Sequence, residues 1–294
     1  MSDPAILVKP REKSLCRSAA SREWSGEIIG TFILVFFGCG SVAAAVLTGA
    51  QIGIFQVAIV WGIGIALAIQ LTSALSGAHL NPAVTLALAT TRRAPWSKVP
   101  RYVAAQMIGA FLAAAILHAL FGGALLDFET SRGIVRGTPG SEASAMIFAE
   151  FFPNPGWKSI ASPGPVDSVR AFAIEAIGTA ILMVVILGVT DTRNAGRAAG
   201  FAPWSIGLTV TILISLLGPL TMAGFNPARD FAPRLYAALS GWGMWVFRAN
   251  GWGWLTVFIV APIAGAQLGS LVYRLLLSPG YDAAQTPPAH RTAS

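Results

Sequence analysis

The chemistry in this sequence is concentrated in a duplicated triplet. Asn81-Pro82-Ala83 and Asn226-Pro227-Ala228 lie 145 residues apart. Asn followed by Pro opens a helix: the Asn side chain caps the first turn, and Pro is tolerated at the first helical position because its missing N–H had no partner there. One triplet alone reads as a cap and nothing more. Two of them, each opening an apolar stretch too short to cross a bilayer, call for a shared role. Each helix N-terminus carries about half a positive charge, so a cation held between two of them is repelled. The Asn81 and Asn226 amides, free on their N–H side, can donate hydrogen bonds to a neutral hydroxylic molecule at the same place. Upstream of each triplet the sequence is small and non-helical: Ser76-Gly77-Ala78-His79-Leu80 and Thr221-Met222-Ala223-Gly224-Phe225. Unwound backbone at membrane depth is viable only where it lines a wet cavity. The carbonyls of Gly77, Ala78, His79, Ala223, Gly224 and Phe225 are therefore expected as a ladder of acceptors along a pore.

The elements that must hold these triplets are membrane helices. Of 294 residues, 20 are basic and 13 acidic, 11% in all, against about 25% in soluble domains. Ile28–Thr91 contains no Asp, Glu, Lys or Arg, and Tyr102–Leu126, Ala198–Ala228 and Ala249–Tyr273 are also uncharged. These runs exceed the ~18 apolar residues that mark a span. A soluble enzyme, a disordered chain and a secreted disulfide scaffold are excluded. Cys16 and Cys39 make no metal-ligand spacing, and no metal or cofactor is expected. No cleavable leader is expected either, because the first apolar run is full length and follows a basic lead.

Spans are predicted at 26–47, 54–75, 101–124, 169–190, 201–218 and 253–276. The basic residues cluster at Lys9, Arg11, Lys13, Arg17 and Arg22, at Arg92, Arg93, Lys98 and Arg101, and at Arg193 and Arg197. With six crossings these clusters share one face with the C-terminus, which the positive-inside rule assigns to the cytoplasm. The net charge of +7 is thus a topology signal, and no nucleic-acid partner is expected. Loop 125–168, with five prolines, is expected outside and irregular. Leu80–Ala89 and Pro227–Leu239 reach only ~15–20 Å as helices, short of a ~30 Å hydrocarbon core, and are read as re-entrant half-helices.

The two halves match. Gly26-Glu27-Ile28-Ile29-Gly30-Thr31 returns as Ile174-Glu175-Ala176-Ile177-Gly178-Thr179. Each half holds three crossings, an odd number, so the second copy is inverted and the two half-helices enter from opposite faces. The predicted fold is an all-α polytopic membrane protein, an inverted repeat of six transmembrane helices plus two re-entrant half-helices. A channel domain over 25–276, with repeats at 25–124 and 169–276, is flanked by cytoplasmic tails 1–24 and 277–294.

The doubled triplet, with Ser-Gly-Ala-His-Leu before the first copy and Arg229-Asp230-Phe231 after the second, resembles the major intrinsic protein (aquaporin) family. Asp127-Phe128-Glu129 and Ile134-Val135-Arg136-Gly137 are similar to its glycerol-conducting branch. The resemblance implies a passive, ion-excluding channel for glycerol, water, urea and, by its filter, metalloid hydroxides such as arsenite or boric acid. It implies a homotetramer in the lipid bilayer of a bacterial inner membrane. Arg229 takes the place of the selectivity-filter Arg, a guanidinium that donates to passing oxygens and repels cations. Asp230 marks the glycerol branch and is expected to brace the loop, by accepting backbone N–H groups or by pairing with an Arg. Glu27 and Glu175 are expected to buttress the two half-helix loops, and His79 to brace the first. The family ring of Trp, Gly, aromatic and Arg maps here to Phe55, Ile214, Ala223 and Arg229, a departure at three positions.

Two other functions fit less of the sequence. A water- or metalloid-selective pore would share the architecture and differ in the ring. An ion-coupled transporter would need Glu27 and Glu175 as a proton relay. No nucleophile–base pair or phosphate loop suggests an enzyme.

Overall fold

The computed structural model describes residues 18–50, 53–157, 166–198 and 200–285. Lys9, Arg11, Lys13, Cys16, Arg17, Pro163, Pro165 and the chain after 285 lie outside them. Among the described residues, six helices are long and apolar enough to cross a membrane. The principal helices are α1 (Ala19–Ala43), α2 (Ile54–Ser76), α3 (Pro82–Thr90), α4 (Val99–Arg132), α5 (Ser168–Thr190), α6 (Ala202–Thr221), α7 (Pro227–Ala237) and α8 (Ala261–Val272). The span that contains α8 runs Gly253–Ala284 through two π turns. α3 and α7 have nine and eleven residues; end to end they rise about 30 Å, one membrane thickness.

Packing repeats with the sequence. In the first half α1 packs on α2 and α4, and in the second α5 packs on α6 and α8. The half-helices cross over: α7 lies on α4, and α3 lies on α8. Side chains spaced three or four apart face outward and are apolar, such as Ile63, Leu67 and Leu71 on α2 or Leu112, Ile116 and Leu120 on α4. That is the expected surface of a chain whose solvent is hydrocarbon.

One end of the bundle gathers the basic segments. Glu23 at the start of α1 pairs with Lys98 at 2.7 Å and Arg101 at 3.4 Å. Asp191, after α5, takes Arg93 at 3.2 Å and Arg193 at 2.8 Å, and accepts from the Tyr273 hydroxyl. Arg193 beside it holds the Asp191 carboxyl well below the usual carboxylate range. Arg193 also reaches Asp282 at 2.7 Å. The start of α1, both basic loops and the end of the last span therefore share this basic end.

The helices outrun their predicted bounds. α1 begins at Ala19, where Ser18 caps it by accepting from the Ser21 amide at 3.2 Å. α4 continues to Arg132, through eight residues expected to be irregular. Leu125, Phe128 and Glu129 keep a buried stripe there, Glu129 pairs with Arg136 at 2.9 Å, and Gly133 closes the helix in a left-handed cap.

Candidate pore and its constriction

The two loops before the triplets are copies in backbone as well as in sequence. Gly77, Ala78 and Leu80 have positive φ, and so do Met222, Ala223 and Phe225, at the same 145-residue offset. A non-glycine residue in the left-handed region costs about 1 kcal/mol or more. A buried carboxylate opposes that cost in each loop. Glu27 accepts from the Ser76 hydroxyl (2.6 Å), the His79 and Leu80 amides (2.9 and 2.8 Å) and Gln106 Nε2 (2.7 Å). Glu175 accepts from the Thr221 hydroxyl (2.6 Å) and the Gly224 and Phe225 amides (3.1 and 2.8 Å). Gly30 and Gly178 leave room for Leu80 and Phe225: a Cβ on either glycine would strike those side chains. His79 Nδ1 lies 3.3 Å from the Thr85 hydroxyl.

The triplets lock to one another. Asn81 Oδ1 accepts from the Ala83 amide at 2.8 Å, and Asn226 Oδ1 from the Ala228 and Arg229 amides at 3.0 and 3.4 Å. The amide groups cross over: Asn81 Nδ2 donates to the Phe225 carbonyl and Asn226 Nδ2 to the Leu80 carbonyl, both at 2.8 Å. The Asn amides are therefore half engaged rather than wholly free, and Phe225 gives one carbonyl lone pair to protein. Each amide retains a second N–H, and both Asn line the cavity described next.

Among the described residues, two cavities lie one beyond the other within the bundle. One, of about 600 Å³, extends from Arg93 and Thr190 at the basic end past Gly77, Ala78, His79, Leu80, Asn81, Ala223, Gly224, Phe225 and Asn226. The other, of about 490 Å³, opens at the opposite end among Val46, Phe128, Arg132, Met146 and Met222. Both are lined by Trp61, Ile214 and Arg229. Those three side chains are the wall between them, and Ala223 abuts it from the basic-end side.

The ring assigned from the sequence needs one correction. Phe55 lines neither cavity and is 61% exposed. Trp61, 5% exposed, holds the aromatic place. Six residues turn a helix by about 600°, so Phe55 points some 120° away from Trp61. Trp61 was legible as the sole Trp of the second span. Arg229 sits with its Cζ 4.7 Å from the Trp61 ring centroid, Nη1 3.3 Å from the Phe148 carbonyl and Nε 3.0 Å from Glu150 Oε1.

Asp230 does both things expected of it. Oδ1 accepts from the Glu150 amide at 2.8 Å, and both oxygens take Arg234, at 2.7 and 2.9 Å. Arg234 also donates to the carbonyls of Glu150 and Val246. Glu150 and Arg234 were missed in the sequence. Arg234 had a signal in its i,i+4 spacing from Asp230. Glu150 had only its position as the lone charge in the apolar run Ala143–Phe152.

A family model described as "Major intrinsic protein" matches residues 14–273. The chain is 41% identical to a glycerol uptake facilitator protein of Pseudomonas aeruginosa over 265 residues, covering 89% of this chain and 90% of the relative. It is 37% identical to human aquaporin-9 over 270 residues, 91% and 86% of the two chains. The X-ray structure of the aquaglyceroporin from Plasmodium falciparum superposes with a TM-score of 0.75 at 28% identity, covering 90% of this chain and 99% of that one. In sequence, in duplicated architecture and in the meeting of its two triplets, the chain belongs to the major intrinsic protein family.

Proposed function

We propose that this protein is a passive channel for glycerol and other small neutral solutes, among them water, urea and neutral metalloid hydroxides, and that it excludes ions. The observation that carries the reading is the wall shared by the two cavities. Trp61 and Ile214 give it an apolar side, and Arg229 gives it one hydrogen-bonding corner. A molecule with a carbon face and a hydroxyl face suits such a gap, and the guanidinium can donate to its oxygens as they lose water. The relatives bearing the names glycerol uptake facilitator and propanediol uptake facilitator are consistent with it. Ala223 in place of an aromatic ring favours breadth, extending the substrate set to rounder solutes. A coupled transporter is disfavoured because Glu27 and Glu175 direct their oxygens to loop amides and hydroxyls. The basic end is taken as cytoplasmic, with both termini on that side, in a bacterial inner membrane, and the assembly as a homotetramer with one pore per subunit.

Proteoliposomes shrunk in hyperosmotic glycerol are expected to re-swell much faster than protein-free vesicles, with flux linear in concentration and indifferent to pH. Re-swelling at the protein-free rate with fast water flux would replace this reading with a water channel. Saturating, proton-dependent flux would replace it with a transporter.

A further inference from the structure

The filter guanidinium of this chain has a buried carboxylate beside it. Arg229 and Glu150 are 3% and 0% exposed, and Nε lies 3.0 Å from Oε1. Glu150 is placed there by its backbone: its amide donates to Asp230, and its carbonyl accepts from Arg234. The side chain then turns back past Gly224, where its Oε2 occupies the space a Cβ would need. Neither carboxylate oxygen has a hydrogen-bond partner among the described residues. Arg229 is the counter-charge that Glu150 faces. The second pair, Asp230 with Arg234, is also internally balanced. Arg229 with Glu150 and Arg234 with Asp230 therefore cancel in pairs. The further buried carboxylate that acts on Arg229 and Glu150, Glu175, is engaged by the Thr221 hydroxyl and the Gly224 and Phe225 amides.

We propose that Glu150 is a specificity-determining positioning residue. It cancels the charge of Arg229 at the constriction and aims the guanidinium's remaining N–H groups into the gap. The constriction then selects by shape and hydrogen bonding, and cations are rejected deeper in the pore. There the N-termini of α3 and α7 meet at Asn81 and Asn226, which donate to backbone carbonyls, while Glu27 and Glu175 behind them are taken up by the loop amides of Leu80 and Phe225. This rests on the channel reading above and adds a division of labour: the guanidinium orients neutral solutes, while the paired helix ends hold the charge barrier. Without Glu150, the guanidinium would itself be an uncompensated charge that attracts anions and repels cations.

The test is ion leak in proteoliposomes, with proton flux read by an entrapped pH dye and glycerol flux read in the same vesicles. Arg229→Val with Glu150→Gln removes both charges together and leaves no buried ion without a partner. Its proton leak is expected to stay within about twofold of the parent. Arg229→Val alone bares the carboxylate and is expected to leak about tenfold more, since a single-sign wall concentrates counter-ions by that order. If the double variant leaks as much as Arg229→Val, or exceeds the parent by about tenfold, the guanidinium is itself the cation barrier and the proposal is wrong. Glu150→Gln alone exposes the positive charge. It is expected to admit nitrate, followed with an anion-quenched dye, faster than the parent; unchanged nitrate entry would also overturn the proposal. Glycerol flux above that of protein-free vesicles in the parent separates a failure of this inference from a failure of the channel reading, which would remove that flux.

Discussion

Glu27→Ala and Glu175→Ala are expected to leave little folded protein. Glu27 accepts four hydrogen bonds and Glu175 three. Bonds of this kind contribute roughly 1.5–3 kcal/mol each, and the buried amides left behind cost about 1–3 kcal/mol apiece. Loss on the order of 5–12 kcal/mol for three or four such bonds compares with a total stability of about 5–15 kcal/mol. The left-handed residues Ala78 and Leu80, or Ala223 and Phe225, then lose the carboxylate that opposes their strain and keep only single hydrogen bonds such as those from the opposite Asn. Thermal unfolding in detergent, followed by the monodisperse fraction on size exclusion, reads the effect. Gln at either position retains one acceptor oxygen and should fall between Ala and the parent. A Glu27→Ala protein that melts with the parent would show that the loops hold their shape without the carboxylate.

The second large effect concerns the ring. Ile214 already stands in the wall between the cavities, and Ala223 abuts it. Ala223→Phe therefore overpacks the gap rather than restoring an aromatic slot, and flux of glycerol and urea should fall together by about tenfold, an overpacking penalty of about 1–3 kcal/mol being enough. Ile214→Gly combined with Ala223→Phe removes the crowding, and glycerol flux should recover more than urea flux, because a flat ring beside Trp61 favours a linear carbon face over a rounder solute. Stopped-flow light scattering with both solutes measures this. Independent, additive effects of the two substitutions would show that the side chains do not share one constriction.

Most of the architecture was legible because a bilayer leaves few choices. Long uncharged runs must be helices, and an odd number of crossings in a repeated unit must invert it. The Asn-Pro starts disclosed α3 and α7 as half-helices, since capping chemistry is local. The sequence was weaker where an element runs on beyond the hydrocarbon. α4 continues to Arg132 on a stripe of Leu125, Phe128 and Glu129, a signal too short to separate from loop. It was weakest across long separations. Nothing local links Glu150 to Arg229, 79 residues later, or tells whether Phe55 or Trp61 turns inward; that depends on how α2 is rotated against α6. The Asn amides were expected to be free because the partner carbonyls, at Leu80 and Phe225, belong to the opposite repeat.

The central claim is that solutes pass between Trp61, Ile214 and Arg229. It is tested most directly by filling that gap and, separately, by enlarging a residue that the sequence alone had placed there. Glycerol re-swelling of proteoliposomes should fall to the protein-free rate for Ile214→Trp, whose ring has no space beside Trp61, and should match the parent for Phe55→Trp, which points away from both cavities. Parent-like flux through Ile214→Trp, or its loss in Phe55→Trp with the protein folded, would contradict the account.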